Sequence, residues 1–176
     1  MTLIEAPDSE FDYALCRYGA SRVMFRGPKR RLNASYIADI GSGQAYGKYG
    51  EVLFVDALEA QIGEPVVNLG VMQAGLTPPA DNPDILRVTS NPRMTLVQIL
   101  GAQSMPNRVY SVHPRRNDRF VSASVTVQSP LQSGVAELKI AWISRLRMIL
   151  KSISGDTVLL WMAERRPEDP LFGQSA

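Results

Sequence analysis

The sequence predicts an α/β protein: a three-layer sandwich with helices on both faces of a short parallel sheet. The expected strand order is 2-1-3-4, numbering the predicted strands along the chain. Three observations carry this reading. Short apolar runs alternate with helix-like patterns, as they do when parallel strands are joined by crossovers. Right-handed crossovers then bring the C-terminal ends of the strands to one edge. Three of the four runs end in glycine, at Gly41, Gly70 and Gly101, so three turns converge where open α/β sheets bind ligands.

The elements follow in order. Phe11 to Gly19 reads as a short helix, and Met24 to Leu32 as a basic, proline-containing loop. Tyr36–Ile40 is a buried strand. Tyr46 to Ile62 carries apolar residues at helical spacing, including Tyr49, Leu53, Leu58 and Ile62, and stops at Gly63. Val66–Leu69 is the second strand. A helix starts at Pro83, capped by Asp81 or Asn82, and runs to about Ser90 before Asn91-Pro92 ends it. Met94–Leu100 is the third strand, followed by a long irregular segment from Ala102 to about Ser129. Ser133 to Ile153 is a helix with Val135, Leu138, Trp142, Leu146, Ile149 and Ile153 on one stripe, stopped by Gly155. Thr157–Ala163 is the fourth strand. Trp142 and Trp161 are expected in the core. The whole chain, residues 1–176, reads as one domain with loose tails at 1–10 and 165–176.

Composition narrows the function classes. The 176 residues are 45% hydrophobic and 20% charged, which is a globular balance. A net charge of +2 does not argue for nucleic acid, and no apolar run approaches the length that spans a bilayer. The acidic N-terminus lacks a signal-peptide layout, so a cytoplasmic location is expected, in keeping with a single cysteine, Cys16. Cys16 reads as a small buried apolar residue. No pair of cysteines or histidines has metal-ligand spacing, and no phosphate-binding or dinucleotide loop is present. No metal and no cofactor are therefore expected.

The charges are unevenly placed. Arg26, Lys29, Arg30 and Arg31 surround Gly27-Pro28, while Arg115, Arg116 and Arg119 follow His113-Pro114. Arginine outnumbers lysine, which favours forked contacts to carboxylate, sulfate or phosphate. The alternative is a solvated loop whose arginines pair with Asp118 and other local carboxylates.

Several strings carry a resemblance. Phe25-Arg26-Gly27-Pro28-Lys29-Arg30, Tyr46-Gly47-Lys48, Gly101-Ala102-Gln103, Asn107-Arg108 and Val112 to Phe120 (Val-His-Pro-Arg-Arg-Asn-Asp-Arg-Phe) resemble the DUF6473 family of alphaproteobacterial proteins, from about Phe11 to Phe172. More distantly, the strand-end glycines resemble a degenerate, shortened SGNH (GDSL-like) hydrolase, which implies a flavodoxin-like or SGNH-hydrolase-like sheet. Gly41-Ser42-Gly43 stands at the Gly-Asp-Ser position, Gly70 at the oxyanion glycine, and Gly101-Ala102-Gln103-Ser104 at Gly-x-Asn-Asp. The departures are specific. In register the nucleophile position falls on Gly43, Gln103 replaces the oxyanion asparagine, and the late Asp-x-x-His segment is missing.

Two functions follow. A hydrolase or transferase acting on carbohydrate or lipid esters would use Ser42 as nucleophile and His113 as base, with the Gly70 N–H and Gln103 as oxyanion donors. A non-catalytic binding domain would keep the glycine-lined edge and hold an anionic small molecule or acidic saccharide with Gly43, Gln103, Asn107, Arg115, Arg116 and Arg119. The missing late segment favours the second. Ser42 otherwise reads as a helix cap, and His113 as a backbone-bonded structural residue. If the fourth strand is an edge, a homodimer is one way to cover it.

Overall fold

The computed structural model describes residues 13–48, 50, 52–72, 74–101, 110–113, 116–122 and 131–162. The expected tails at 1–10 and 165–176 lie wholly outside these. A four-stranded parallel sheet forms from β1 (Ile37–Ile40), β2 (Val66–Asn68), β3 (Met94–Gln98) and β6 (Asp156–Leu160), in the order β2-β1-β3-β6. This is the 2-1-3-4 order expected from the sequence. Ile37 aligns with Val66 and Met94, and Met94 with Asp156, so side chains at matched positions share a face.

The alternation of each strand builds two cores. Ile37, Val66 and Leu96 meet Leu53 and Val55 at the start of α2 (Phe54–Ile62). On the opposite face, Ala38, Ile40, Val67, Leu69 and Val97 pack with Ala80 of α3 (Thr77–Asp81), Ile85 and Val88 of α4 (Pro83–Val88), and Ile149 of α5 (Leu131–Ser152). Tyr36, fully sequestered, donates its hydroxyl to the Val88 carbonyl at 2.7 Å and ties the start of β1 to the end of α4. The Asn82 side chain caps α4 by accepting from the N–H groups of Asp84 and Ile85, as expected of it.

Four expectations are corrected. The helix over Phe11–Gly19 does not form in its described part. Ala14 takes φ of 43°, and Cys16 instead pairs antiparallel with Phe25 through two 2.9 Å bonds. Burying Phe25 against Tyr18 outweighs the weak helical pattern of so short a stretch. Cys16 is half-buried and burial raises its thiol pKa, in keeping with an unreactive packing residue. The helix over Tyr46–Ile62 is two helices, α1 (Gly43–Tyr46) and α2, because left-handed Gly47 ends the first.

The segment expected to be irregular contains a hairpin of β4 (Tyr110–His113) and β5 (Arg116–Ser122), which pairs with neither edge of the main sheet. Finally, Trp142 packs against the core and donates to the Leu100 carbonyl at 2.7 Å, but Trp161 is 39% exposed. The last strand of the sheet is an edge, and its apolar residues reach solvent. No helix among the described residues is long and apolar enough to cross a membrane.

Candidate functional site

Each of the first three strands carries one polar residue just before its turn: Asp39, Asn68 and Gln98. Asp39 aligns with Asn68 across β1 and β2, and Gln98 lies two residues beyond Leu96, the partner of Asp39 in β3. All three therefore sit on the α2 face, at the C-terminal ends of the strands.

Two of them build the platform that holds the Gly41–Tyr46 turn. Gln98 Oε1 accepts from the Ser42 N–H at 2.8 Å, while its Nε2 donates to Gln44 Oε1 at 3.0 Å. Asn68 Nδ2 donates to the Ala45 carbonyl at 2.9 Å, and its Oδ1 accepts from the Gly70 N–H at 2.8 Å. A side-chain amide supplies a donor and an acceptor together, so Asn68 ties two backbone segments at once, while Gln98 holds both the backbone and a side chain of the turn.

The turn comes this close because glycine removes the obstacle. A Cβ at Gly70 would stand 2.5 Å from Tyr46 N and 2.8 Å from Ala45 C, both backbone atoms that cannot swing aside. Gly70→Ala is therefore expected to lower stability by about 1–3 kcal/mol, as overpacking does. Gly43→Ala, where a Cβ meets nothing within 4 Å, should change it little. Urea denaturation of the two variants side by side checks this pair.

Above the platform lies a cleft of about 480 Å³ lined by Ser42, Gly43, Gln44, Gly47, Lys48, Gly50 and Met72. It opens beside the β1 end, next to the point where the connections leave in opposite directions along the sheet. Its outer wall is tied down from the N-terminal segment. Arg26 donates to the carbonyls of Gly47 and Gly50, the latter at 2.9 Å, and its guanidinium lies 4.9 Å from the centre of the Tyr13 ring. Tyr13 in turn donates to the Lys48 carbonyl at 2.9 Å.

Asp39 is the outlier. It is 1% exposed, and neither carboxylate oxygen has a hydrogen-bond partner. Desolvation pushes its pKa up to about 7 from an ordinary 3.8.

The residues singled out by sequence separate as follows. Ser42 and Gly43 both line the cleft, and Ser42 occupies the N-cap position of α1 without making a side-chain capping bond. Gly70 is buried beneath the turn, with its N–H donated to Asn68. His113 ends β4 and pairs in the hairpin with Arg116, the first residue of β5, on which Arg119 also lies. Gln103, Asn107 and Arg115 lie outside the described residues. Among the four basic residues around Gly27-Pro28, Arg26 is structural and Arg30 pairs with Asp56 and Glu59 of α2, the latter at 3.0 Å. Gln98 and Arg26 were not recognised as parts of the site. The signal available for Gln98 is a polar residue closing the third strand, Met-Thr-Leu-Val-Gln, just before the turn. Among the described residues, no group of three or more histidine, cysteine, aspartate or glutamate side chains could hold a metal ion.

No curated protein and no solved structure matches the chain. A family model described as "Domain of unknown function (DUF6473)" matches residues 1–132. That span contains β1 to β5, both amides of the platform, and every residue lining the cleft. The chain belongs to the DUF6473 family, and the cleft at the ends of β1 and β2 lies wholly within the part that defines it.

Proposed function

We propose that this protein is a non-catalytic binding domain that takes an anionic small molecule or acidic saccharide in the cleft beside β1. The observation carrying the reading is the character of the lining. Among the described residues that line the cleft, Lys48 is the charged one, accompanied by the polar Ser42 and Gln44 and by three glycines that leave backbone within reach of a ligand. The Ser42 N–H is held by the Gln98 amide, which also donates to Gln44, and an amide neither accepts a proton nor activates a hydroxyl. A parallel sheet with glycines at its strand ends also supports a distant SGNH-like relationship.

A thermal-shift screen of sulfated, phosphorylated and carboxylated monosaccharides tests the proposal. Stabilisation by one anionic class is expected, with the ligand-induced shift lost in Lys48→Ala relative to that variant's own melting temperature. Arg115→Ala and Arg116→Ala report whether the arginines that follow His113-Pro114 contribute. Turnover of short-chain nitrophenyl esters that disappears in Ser42→Ala and His113→Ala would overturn the proposal in favour of an esterase or acyl transferase.

A further inference from the structure

A second cavity, of about 550 Å³, lies on the N-terminal segment and shares no lining residue with the cleft. Three consecutive basic residues, Lys29, Arg30 and Arg31, contribute to its wall. The segment that carries them ties the two helical layers together. The Asn82 side chain, which caps α4, donates to Ser21 Oγ at 3.0 Å, and Arg30 pairs with Asp56 and Glu59 of α2.

The middle basic residue is pinned twice. The Tyr18 hydroxyl accepts from the Arg30 N–H at 3.0 Å, and the two α2 carboxylates neutralise the Arg30 guanidinium. Tyr18 is itself buried and packs against Phe25, so the anchor belongs to the core. The residues on either side are left differently. Lys29 and Arg31 are exposed, both line the cavity, and neither forms an ion pair among the described residues. Lys29 Nζ lies 5.7 Å from the centre of the Tyr18 ring, a contact that places the ammonium without cancelling its charge. The charges beside Gly19 are already matched: Asp84 and Arg87 of α4 occupy the space that a Cβ there would need, and they pair with each other.

A pinned residue with an unpaired cation on each side is a preorganised double positive charge, which needs little further backbone ordering to bind. A tetrahedral dianion matches it. A phosphomonoester carries about −1.5 to −2 charge at neutral pH and three acceptor oxygens. These suit an arginine fork beside a point-charge ammonium. A carboxylate brings one charge and would leave one of the two cations unanswered. The cavity is also many times the volume of about 30 Å³ that a water molecule takes up in the liquid, so it has room for an organic remainder beside Leu32 and Asn33. We propose that this cavity is a binding site separate from the cleft, which takes the phosphomonoester group of a small organic molecule between Lys29 and Arg31.

Isothermal titration calorimetry of the full chain at fixed ionic strength tests this, with Lys48→Ala as the background because it removes the charged residue of the cleft. Glucose 6-phosphate is expected to bind, inorganic phosphate to bind more weakly, and glucose and dimethyl phosphate to give no heat. Adding Arg31→Gln or Lys29→Gln should weaken glucose 6-phosphate about tenfold or more, as loss of a charge-assisted hydrogen bond does. Arg31→Lys should recover only part of that loss. Both side chains are exposed, so the melting temperature without ligand should stay within about a degree or two of the background. Binding that survives both glutamine substitutions overturns the proposal. Binding seen in the wild-type chain and abolished by Lys48→Ala alone overturns it too, and assigns the anion to the cleft. No binding in either chain, or acetate binding as tightly as glucose 6-phosphate, overturns it as well. Inorganic phosphate binding as tightly as glucose 6-phosphate overturns the organic character of the ligand.

Discussion

Asp39→Asn is expected to stabilise the protein at pH 8 and to flatten the dependence of its stability on pH. The wild-type carboxyl is sealed on the α2 face of the sheet, with no hydrogen-bond partner at either oxygen. Burial pushes its pKa up to about 7, so the folded protein holds the proton to a higher pH than the unfolded chain does. The sign follows from linkage. The contribution is fully present below the unfolded value near 3.8 and is lost as pH rises through about 7. Above that the carboxylate is ionised in both states and the penalty is complete. A displacement of this size corresponds to roughly 4 kcal/mol between the two ends of the window. Asparagine fills the same volume and does not ionise. Urea denaturation at pH 4, 6 and 8 should therefore show wild-type stability falling and the variant nearly level, with the variant the more stable at pH 8. A variant less stable than wild type at pH 8 would mean that the ionised carboxylate is held by a counter-charge.

Arg26→Ala is expected to lower stability by about 3 kcal/mol or more and to weaken any ligand of the cleft. Arg26 is 6% exposed, and its two terminal nitrogens donate to the Gly47 and Gly50 carbonyls while its plane lies over Tyr13. Hydrogen bonds to a charged donor are worth about 1.5–3 kcal/mol each, and both are lost together. The guanidinium also fills space that alanine leaves empty. The segment it anchors carries Gly47 and Lys48, both in the cleft wall. Arg26→Lys should recover little, because one ammonium cannot reproduce a fork spanning two carbonyls. Thermal melts of both variants, followed by the anion screen on each, separate lost stability from lost binding. A melting temperature within a degree or two of wild type would show that the fork is not needed.

Much of the fold was legible because it rests on patterns that short stretches of chain enforce alone. The four apolar runs and the crossovers between them led to the sheet order, since parallel neighbours must be joined over a face and the hand of that joint is set by strand twist. Asn82 was readable as a cap because its bonds are to residues two and three positions on. The glycines marked the turns. Gly70 marked more than a turn, since the backbone of α1 occupies the place of its missing side chain.

What could not be read depended on partners far away in sequence. Nothing local distinguishes Arg26, bonded to carbonyls twenty-one and twenty-four residues later, from the other basic residues of its loop. The pairing of Cys16 with Phe25 overrode a helical pattern because it completes the burial of an aromatic cluster. Trp161 was expected inside by its neighbours, yet whether a strand is central or at an edge is decided by what stands beside it. Gln98 is one more polar residue until the sheet brings it under the Ser42 turn. By itself, the sequence determined the class of the fold and the strand order, because hydrophobic period and turn chemistry act over a few residues. Only the tertiary structure decided which side chains build the cleft and which carboxyl is stranded without a partner. Those depend on contacts between segments that the chain keeps thirty to sixty residues apart.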